Sequence, residues 1–157
     1  MPYRAKVARN VLDDCRYALT ELRNDPQGAA YRVRWFGAIA MLRAVWHVLK
    51  KVDAKSHPEI REAFSDWCKK LDDTKPNPPI YWQFIVSDRD ALLKEYDYRG
   101  AQNVTVTIGG PTIYTYGMRG GPFHGQDQRD VYQQAIEWWE QQLTDIETDA
   151  GRWAPSP

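Results

Sequence analysis

Apolar residues recur three and four positions apart over four stretches between residues 4 and 98 and over a fifth between 127 and 149, and this period limits what the chain can become. Such spacing draws an apolar stripe along each helix, and a helix with such a stripe must bury it against another element. The predicted fold is therefore mainly α: a four- to five-helix bundle with a small β-hairpin before the last helix, where the apolar period drops to two. With 157 residues, 43% of them hydrophobic, a single domain over 1–157 is the expected organisation. Aromatic residues make up 13%, too much bulky apolar mass for a disordered chain.

Val7, Val11, Leu12, Cys15, Leu19 and Leu22 predict an amphipathic helix over 4–24 that stops at Asp25 and Pro26. The same pair opens a second helix, with Asp25 as N-cap and Pro26 at the first helical position. That helix runs to about Asp53. Its apolar positions Val33, Trp35, Phe36, Ile39, Leu42, Val45, Trp46, Leu49 and Val52 cover more than one stripe, so it should be central. Ser56, His57, Pro58 and Glu59 read as a capping box opening a third helix, about 57–72, with Ile60, Phe64, Trp67 and Leu71 inside. Three prolines bar helix over 73–79. Ile80, Phe84, Ile85, Ala91, Leu92 and Tyr96 then mark a fourth helix to about Tyr98, with Gly100 as its stop, which completes a core bundle over 4–98.

Val104, Val106 and Ile108 alternate with threonines before Gly109-Gly110-Pro111, and Thr112 to Tyr116 is β-branched and aromatic, which predicts the hairpin at 103–116. Two strands alone are marginal in water, so the hairpin should lie on the helices or pair with another chain. Gly117 to Gly125 reads as a loop. Asp127 caps a last helix, 127–149, with Tyr132, Ile136, Trp139, Leu143 and Ile146 as its core stripe, and the tail from Gly151 is expected to fray.

Lys plus Arg equals Asp plus Glu at 21 each, but the balance hides an asymmetry. Residues 1–56 hold 11 basic and 5 acidic side chains, and the remainder holds 10 and 16. The surplus reads either as ordinary solvated charge or as a basic face of the first helices suited to a phosphate backbone. The longest uncharged stretch of the first helices, Trp35 to Leu42, falls well short of the about 20 apolar residues of a membrane span, and no apolar leader core follows Arg4, Lys6 and Arg9. No membrane association is expected. Cys15 and Cys68 are too few for a disulfide framework or a zinc site and read as reduced core thiols of a cytoplasmic protein.

His47, His57 and His124 show no metal-ligand spacing, and the glycine pairs lack the Gly-Lys-Ser/Thr of a phosphate loop, so neither metal nor cofactor is expected. Arg43 and His47, four apart on the second helix, share a face and either meet a phosphate together or border the core. His124 is a lone loop histidine able to exchange a proton near neutral pH. Tyr81-Trp82 and Trp138-Trp139 each place two large rings side by side, one for the core and one for an interface.

The segment from Ile80 to Tyr96 puts Arg89, Asp90, Lys94 and Tyr96 late in the fourth helix, with Arg89 and Tyr96 nearly in line and Asp90 able to pair with Lys94. This segment and the helical layout over 4–98 resemble the HEPN (higher eukaryotes and prokaryotes nucleotide-binding) superfamily. A toxin branch of that family carries Arg, four residues, His, one residue, Tyr; this chain has Arg89, four residues, Lys94, one residue, Tyr96. The resemblance implies a homodimer that joins two motifs in one cleft and cuts RNA without metal through the 2'-hydroxyl. In that arrangement Arg89 stabilises the phosphorane, Asp90 replaces the family's usual Asn, and Lys94 stands where His would be. It implies a prokaryotic or phage intracellular system with RNA or a nucleotide as partner. The alternative is a non-catalytic helical interaction module of antitoxin, immunity or regulatory type with a protein partner, which the surplus of Trp and Tyr and the net charge of zero favour.

Overall fold

The computed structural model describes residues 3–24 and 26–155. Its elements are α1 (Lys6–Arg23), α2 (Gly28–Val48), a π-helical segment (Leu49–Asp53) that continues α2 into the single turn α3 (Ala54–Ser56), and α4 (Pro58–Asp73). A second π segment (Ile80–Val86) leads into α5 (Ser87–Glu95), followed by strands β1 (Gly100–Thr105) and β2 (Ile113–Met118), α6 (Gln128–Ala150) and a 3₁₀ turn (Gly151–Trp153). The mainly α bundle with a hairpin before the last helix is the fold.

α2 is the central rod. It buries Tyr31, Trp35, Ala38, Ile39, Leu42 and Val45, while α6 buries Tyr132, Ile136, Trp139, Leu143 and Ile146. The two helices are joined by polar tips of their largest rings: Trp139 Nε1 donates to Leu42 O at 3.0 Å and Tyr132 Oη to Ala38 O at 3.0 Å. Each such bond contributes about 1 kcal/mol net and satisfies a group that burial would otherwise penalise. Val33 of α2 and Val52 of its π-helical continuation, expected against neighbours, are instead exposed, because this rod is covered on several sides but not on all.

The N-terminus of α1 is capped from a distance. Ala5 precedes it and offers no side-chain acceptor. Asp53, at the end of the first π segment, accepts from the N–H groups of Val7 (3.1 Å) and Ala8 (2.8 Å), and Glu147 of α6 accepts from Ala5 N–H at 2.7 Å. Two buried carboxylates thus meet the positive end of the helix.

The charge asymmetry resolves as packing. Arg9 of α1 pairs with Glu140 and Glu147 of α6 at 2.6 and 2.7 Å, Arg16 with Glu140 at 2.6 Å, and Arg23 with Asp130 at 3.2 Å. Much of the N-terminal basic surplus is therefore neutralised by the acidic last helix.

Local signals fail at five places. Ser56 does not form the expected capping box, because its hydroxyl donates to Val52 O at 3.0 Å; Pro58 still starts α4, with His57 before it. Helix α5 stops at Glu95, with Tyr96 in the left-handed region at φ 52° and its N–H on Ala91 O and Leu92 O, so Gly100 is not the stop. Gly100 opens β1 instead, where a Cβ would lie 2.3 Å from Nε2 of the buried Gln128. The strands pair from Gly100↔Met118 to Thr105↔Ile113, so the ladder begins earlier, ends later and turns through a longer loop than the expected 103–116. The tail after α6 makes a 3₁₀ turn rather than fraying at Gly151. The Asp25 cap lies outside the described residues, but α2 starts at Gly28 with Gln27 in the N-cap position, so Pro26 precedes the helix rather than opening it.

The hairpin lies on the bundle through its second strand. Tyr116 is buried and stacks on Tyr31 with ring centroids 3.6 Å apart, and its hydroxyl donates to Pro26 O at 2.6 Å. Asp127 caps α6 as its sequence position suggests, accepting from Arg129 N–H at 2.8 Å.

Candidate functional site

Asp90 sits between two cations on α5. Arg89 Nη1 donates to its Oδ1 at 2.9 Å and Lys94 Nζ to its Oδ2 at 3.1 Å. The Arg89 bond, then the Lys94 bond, holds the Asp90 carboxyl below its ordinary pKa, so Asp90 is a carboxylate at neutral pH. An ammonium that donates in this way has no lone pair with which to take a proton. Tyr96 has left the helix. Its ring rests edge-on against Phe36 with centroids 5.4 Å apart and stays exposed, so it is not stacked in line with Arg89 as helical spacing would have it.

Arg43 and His47 share one face of α2 toward the 80–95 segment. Arg43 Nη1 donates to Tyr81 Oη at 2.7 Å, and its guanidinium lies 4.7 Å from the ring centroid of Trp46 and 5.8 Å from that of Tyr81. The His47 imidazole is pushed below its ordinary pKa, first by partial loss of solvent and then by Arg43 and Arg89. Arg89 of α5 is thus close enough to act on His47, on the surface that Arg43 and His47 share.

Beside Arg43 that surface opens into a groove of about 650 Å³ between the C-terminal part of α2 and its continuation, α4 and the 80–86 segment. Its cations are Arg43, Lys50, Lys55 and Arg61; its rings are Trp46, Phe64, Tyr81 and Trp82; among the described residues its one carboxylate is that of Asp72. Lys50 Nζ lies 4.9 Å from the Trp46 centroid, and Lys75 Nζ reaches 4.6 Å from that of Trp82. Such contacts hold extended cationic side chains at the groove while leaving their charge uncompensated. The Tyr81-Trp82 pair divides as its position suggests, with Tyr81 buried and Trp82 half-buried; in the other pair Trp139 is core and Trp138 half-buried.

Sequence reasoning reached Arg43 but not Trp46, Lys50, Lys55 or Arg61. The signal was a basic and aromatic interleaving on one helix, Arg43, Trp46 and Lys50, whose partners on α4 and at 81–82 come together only through packing. His124 is exposed and spends its Nδ1 lone pair on Gly120 N–H at 2.8 Å, fastening its own loop. Among the described residues no three His, Cys, Asp or Glu side chains converge as metal ligands, and no helix is long and apolar enough to cross a membrane. No family model, no curated protein and no solved structure matches the chain.

Proposed function

We propose that the protein binds single-stranded RNA, or a nucleotide, along the groove from Arg43 to Arg61, with the Arg89 end of α5 extending the contact. The observation that carries this reading is the composition of the groove: four cations, of which Arg61 is paired with Glu62 at 3.3 Å, and four aromatic rings, with Asp72 as the one carboxylate lining it among the described residues. Cations neutralise phosphates, rings stack on bases without regard to sequence, and the combination is the general solution for single strands. Lys50 and Lys55 have no carboxylate within ion-pair distance among the described residues, so their charge is available. The resemblance of Arg89, Lys94 and Tyr96 to the HEPN motif supports RNA as the polymer and the prokaryotic or phage cytoplasm as the setting.

The test is binding of a labelled single-stranded RNA over a range of salt. The expected result is an affinity whose logarithm falls linearly with the logarithm of salt, with Lys50→Ala and Lys55→Ala each reducing that slope by about 1. Affinity indifferent to salt overturns the proposal. Incubation with mixed cellular RNA in EDTA, scored for 2',3'-cyclic phosphate ends beside Arg89→Ala and Lys94→Ala, separates binding from cleavage. The ion-paired state of Lys94 favours binding.

A second reading, a protein-interaction module, has its own observation. Residues 100–118 carry no Asp, Glu, Lys or Arg, yet Val104, Val106, Ile108 and Ile113 of the hairpin are exposed. Edge strands are usually protected by charge. An uncharged ribbon meets a copy of itself without repulsion, so the partner proposed here is a second copy of this chain, giving the homodimer.

A further inference from the structure

We propose that the cleft between Asp88 of α5, the Asp97–Arg99 segment and the loop from Arg119 to Phe123 binds a small oxyanion, a carboxylate or a phosphate ester, which accepts hydrogen bonds from Asp88, Arg99 and Arg119. This site is separate from the groove on α2 and α4, and its claim stands whether or not RNA binds there.

Asp88 is the unusual member. It is 6% exposed, lines a cleft of about 500 Å³, and its Oδ2 is sealed from solvent with no hydrogen-bond partner among the described residues. The other oxygen, Oδ1, lies 3.8 Å from Arg99 Nη1, which itself donates to Ser87 Oγ at 2.7 Å. A buried carboxyl oxygen without a partner is costly, and the residue that carries this one lines the cleft, so a ligand that reached it would supply the missing partner.

The charges around it favour an anion. Asp97 is shared by two guanidiniums: its Oδ2 lies 3.6 Å from Arg99 Nε and its Oδ1 3.3 Å from Arg119 Nη2. Arg119 Nη2 also donates to Tyr98 O at 2.6 Å, which holds its head at the cleft. Burial pushes the Asp88 carboxyl up to about 7, with Arg99 opposing and Asp97 reinforcing the rise, so near neutrality much of Asp88 is protonated. The cleft then holds two guanidiniums against one carboxylate, and Asp88 is a donor rather than an acceptor. A cation would face both arginines, whereas an oxyanion meets three donors. Gly120 and Gly121, at φ 69° and 70°, would carry a Cβ into open space, so the backbone rim leaves the mouth unobstructed. The volume suits a small molecule.

The experiment uses the whole chain with sodium phosphate and sodium acetate as probes, sodium chloride at matched ionic strength as control, and calorimetric titration at about pH 6. Phosphate or acetate is expected to bind beyond chloride. Arg119→Ala, at an exposed position and with its thermal melt measured alongside, is expected to weaken binding by about tenfold, and Asp88→Asn, which keeps a donor in the same shape, to retain it within about threefold. From about pH 6 to 8 the wild type is expected to lose affinity relative to Asp88→Asn, because only the wild-type donor titrates. Phosphate alone identifies a phosphate ester as the natural class, acetate alone a carboxylate, and both the shared oxyanion chemistry. Binding of neither probe beyond chloride, or binding that Arg119→Ala leaves unchanged, overturns the proposal.

Discussion

Arg43 gives its hydrogen bond to the hydroxyl of Tyr81, at 2.7 Å, and among the described residues to no carboxylate. The bond fixes the guanidinium between the Trp46 and Tyr81 rings without neutralising it, so its position is set by the fold and its charge remains for a ligand. Arg43→Ala is expected to weaken RNA binding by about 1–3 kcal/mol and to lower the salt slope, while costing the fold about 1 kcal/mol. Titration of labelled RNA beside a denaturant melt measures both. Unchanged affinity would take Arg43 out of the proposed interface.

Asp90 bears the opposite relation to Arg89 and Lys94, since it cancels charge that the surface would otherwise show. Asp90→Asn is expected to tighten RNA binding by about two- to fivefold at low salt and to do less at high salt. The pairs are solvent-facing, so stability should change by no more than about 1 kcal/mol. A filter-binding series at two salt concentrations decides it, and an unaltered affinity would separate α5 from the binding surface.

Glu147 stabilises the fold rather than a ligand. It is buried, accepts from Ala5 N–H, and receives Arg9 through Nε at 2.9 Å and Nη2 at 2.7 Å. Glu147→Ala removes one of the two carboxylates that hold Arg9 and leaves the Ala5 amide without its acceptor, and is expected to cost about 3 kcal/mol, or roughly 10 °C in Tm. Asp53→Asn, which keeps one acceptor for Val7 and Ala8, should cost about 1 kcal/mol. Scanning calorimetry of the two variants checks the ranking.

The hairpin tip offers a separate outcome. Val106 and Ile108 are 73% and 102% exposed, so replacing both with Lys touches no core contact. If the uncharged ribbon holds two copies together, Val106→Lys with Ile108→Lys converts a dimer into a monomer in light scattering at unchanged Tm. A wild-type monomer at about ten micromolar would remove the dimer.

What was legible in the sequence follows from distance along the chain. The α6 stripe from Tyr132 to Ile146 and the Asp127 cap depend on residues within a few turns of one another, and both are found where the period puts them. The end of α5 was not, because Gly100 looks like a stop locally while its lack of a Cβ serves the contact with Gln128, a residue of another element. Tyr96 takes a left-handed conformation that spacing alone would not assign to it. The capping of α1 by Asp53 and Glu147 joins positions 46 and 142 residues apart. The same holds for function: the spacing of Arg43 and His47 and of Arg89 and Lys94 is visible, but the groove exists only once α4 and the 80–86 segment close against α2.

Asp88 ties stability to pH in a direction that distinguishes it from the ion-paired acids. Its carboxyl is raised from 3.8 to about 7 by burial, so between those values the folded chain keeps a proton that the unfolded chain has released. Proton binding is thus greater in the folded state, and linkage makes stability fall as pH rises through that window, with the full contribution present below about pH 4 and lost above about pH 7. If the whole shift is expressed, the loss reaches about 4 kcal/mol. Asp90 and Glu140, held below their ordinary values by Arg89 and Arg9, act in the opposite sense and only at acid pH. Subtracting the urea stability of Asp88→Asn from that of the wild type at several pH values isolates the Asp88 contribution. The difference should decline from pH 5 to pH 7 and then level off, and a flat difference would mean that Asp88 is ionised throughout and that the cleft beside Arg99 and Arg119 has no protonated donor to offer an anion.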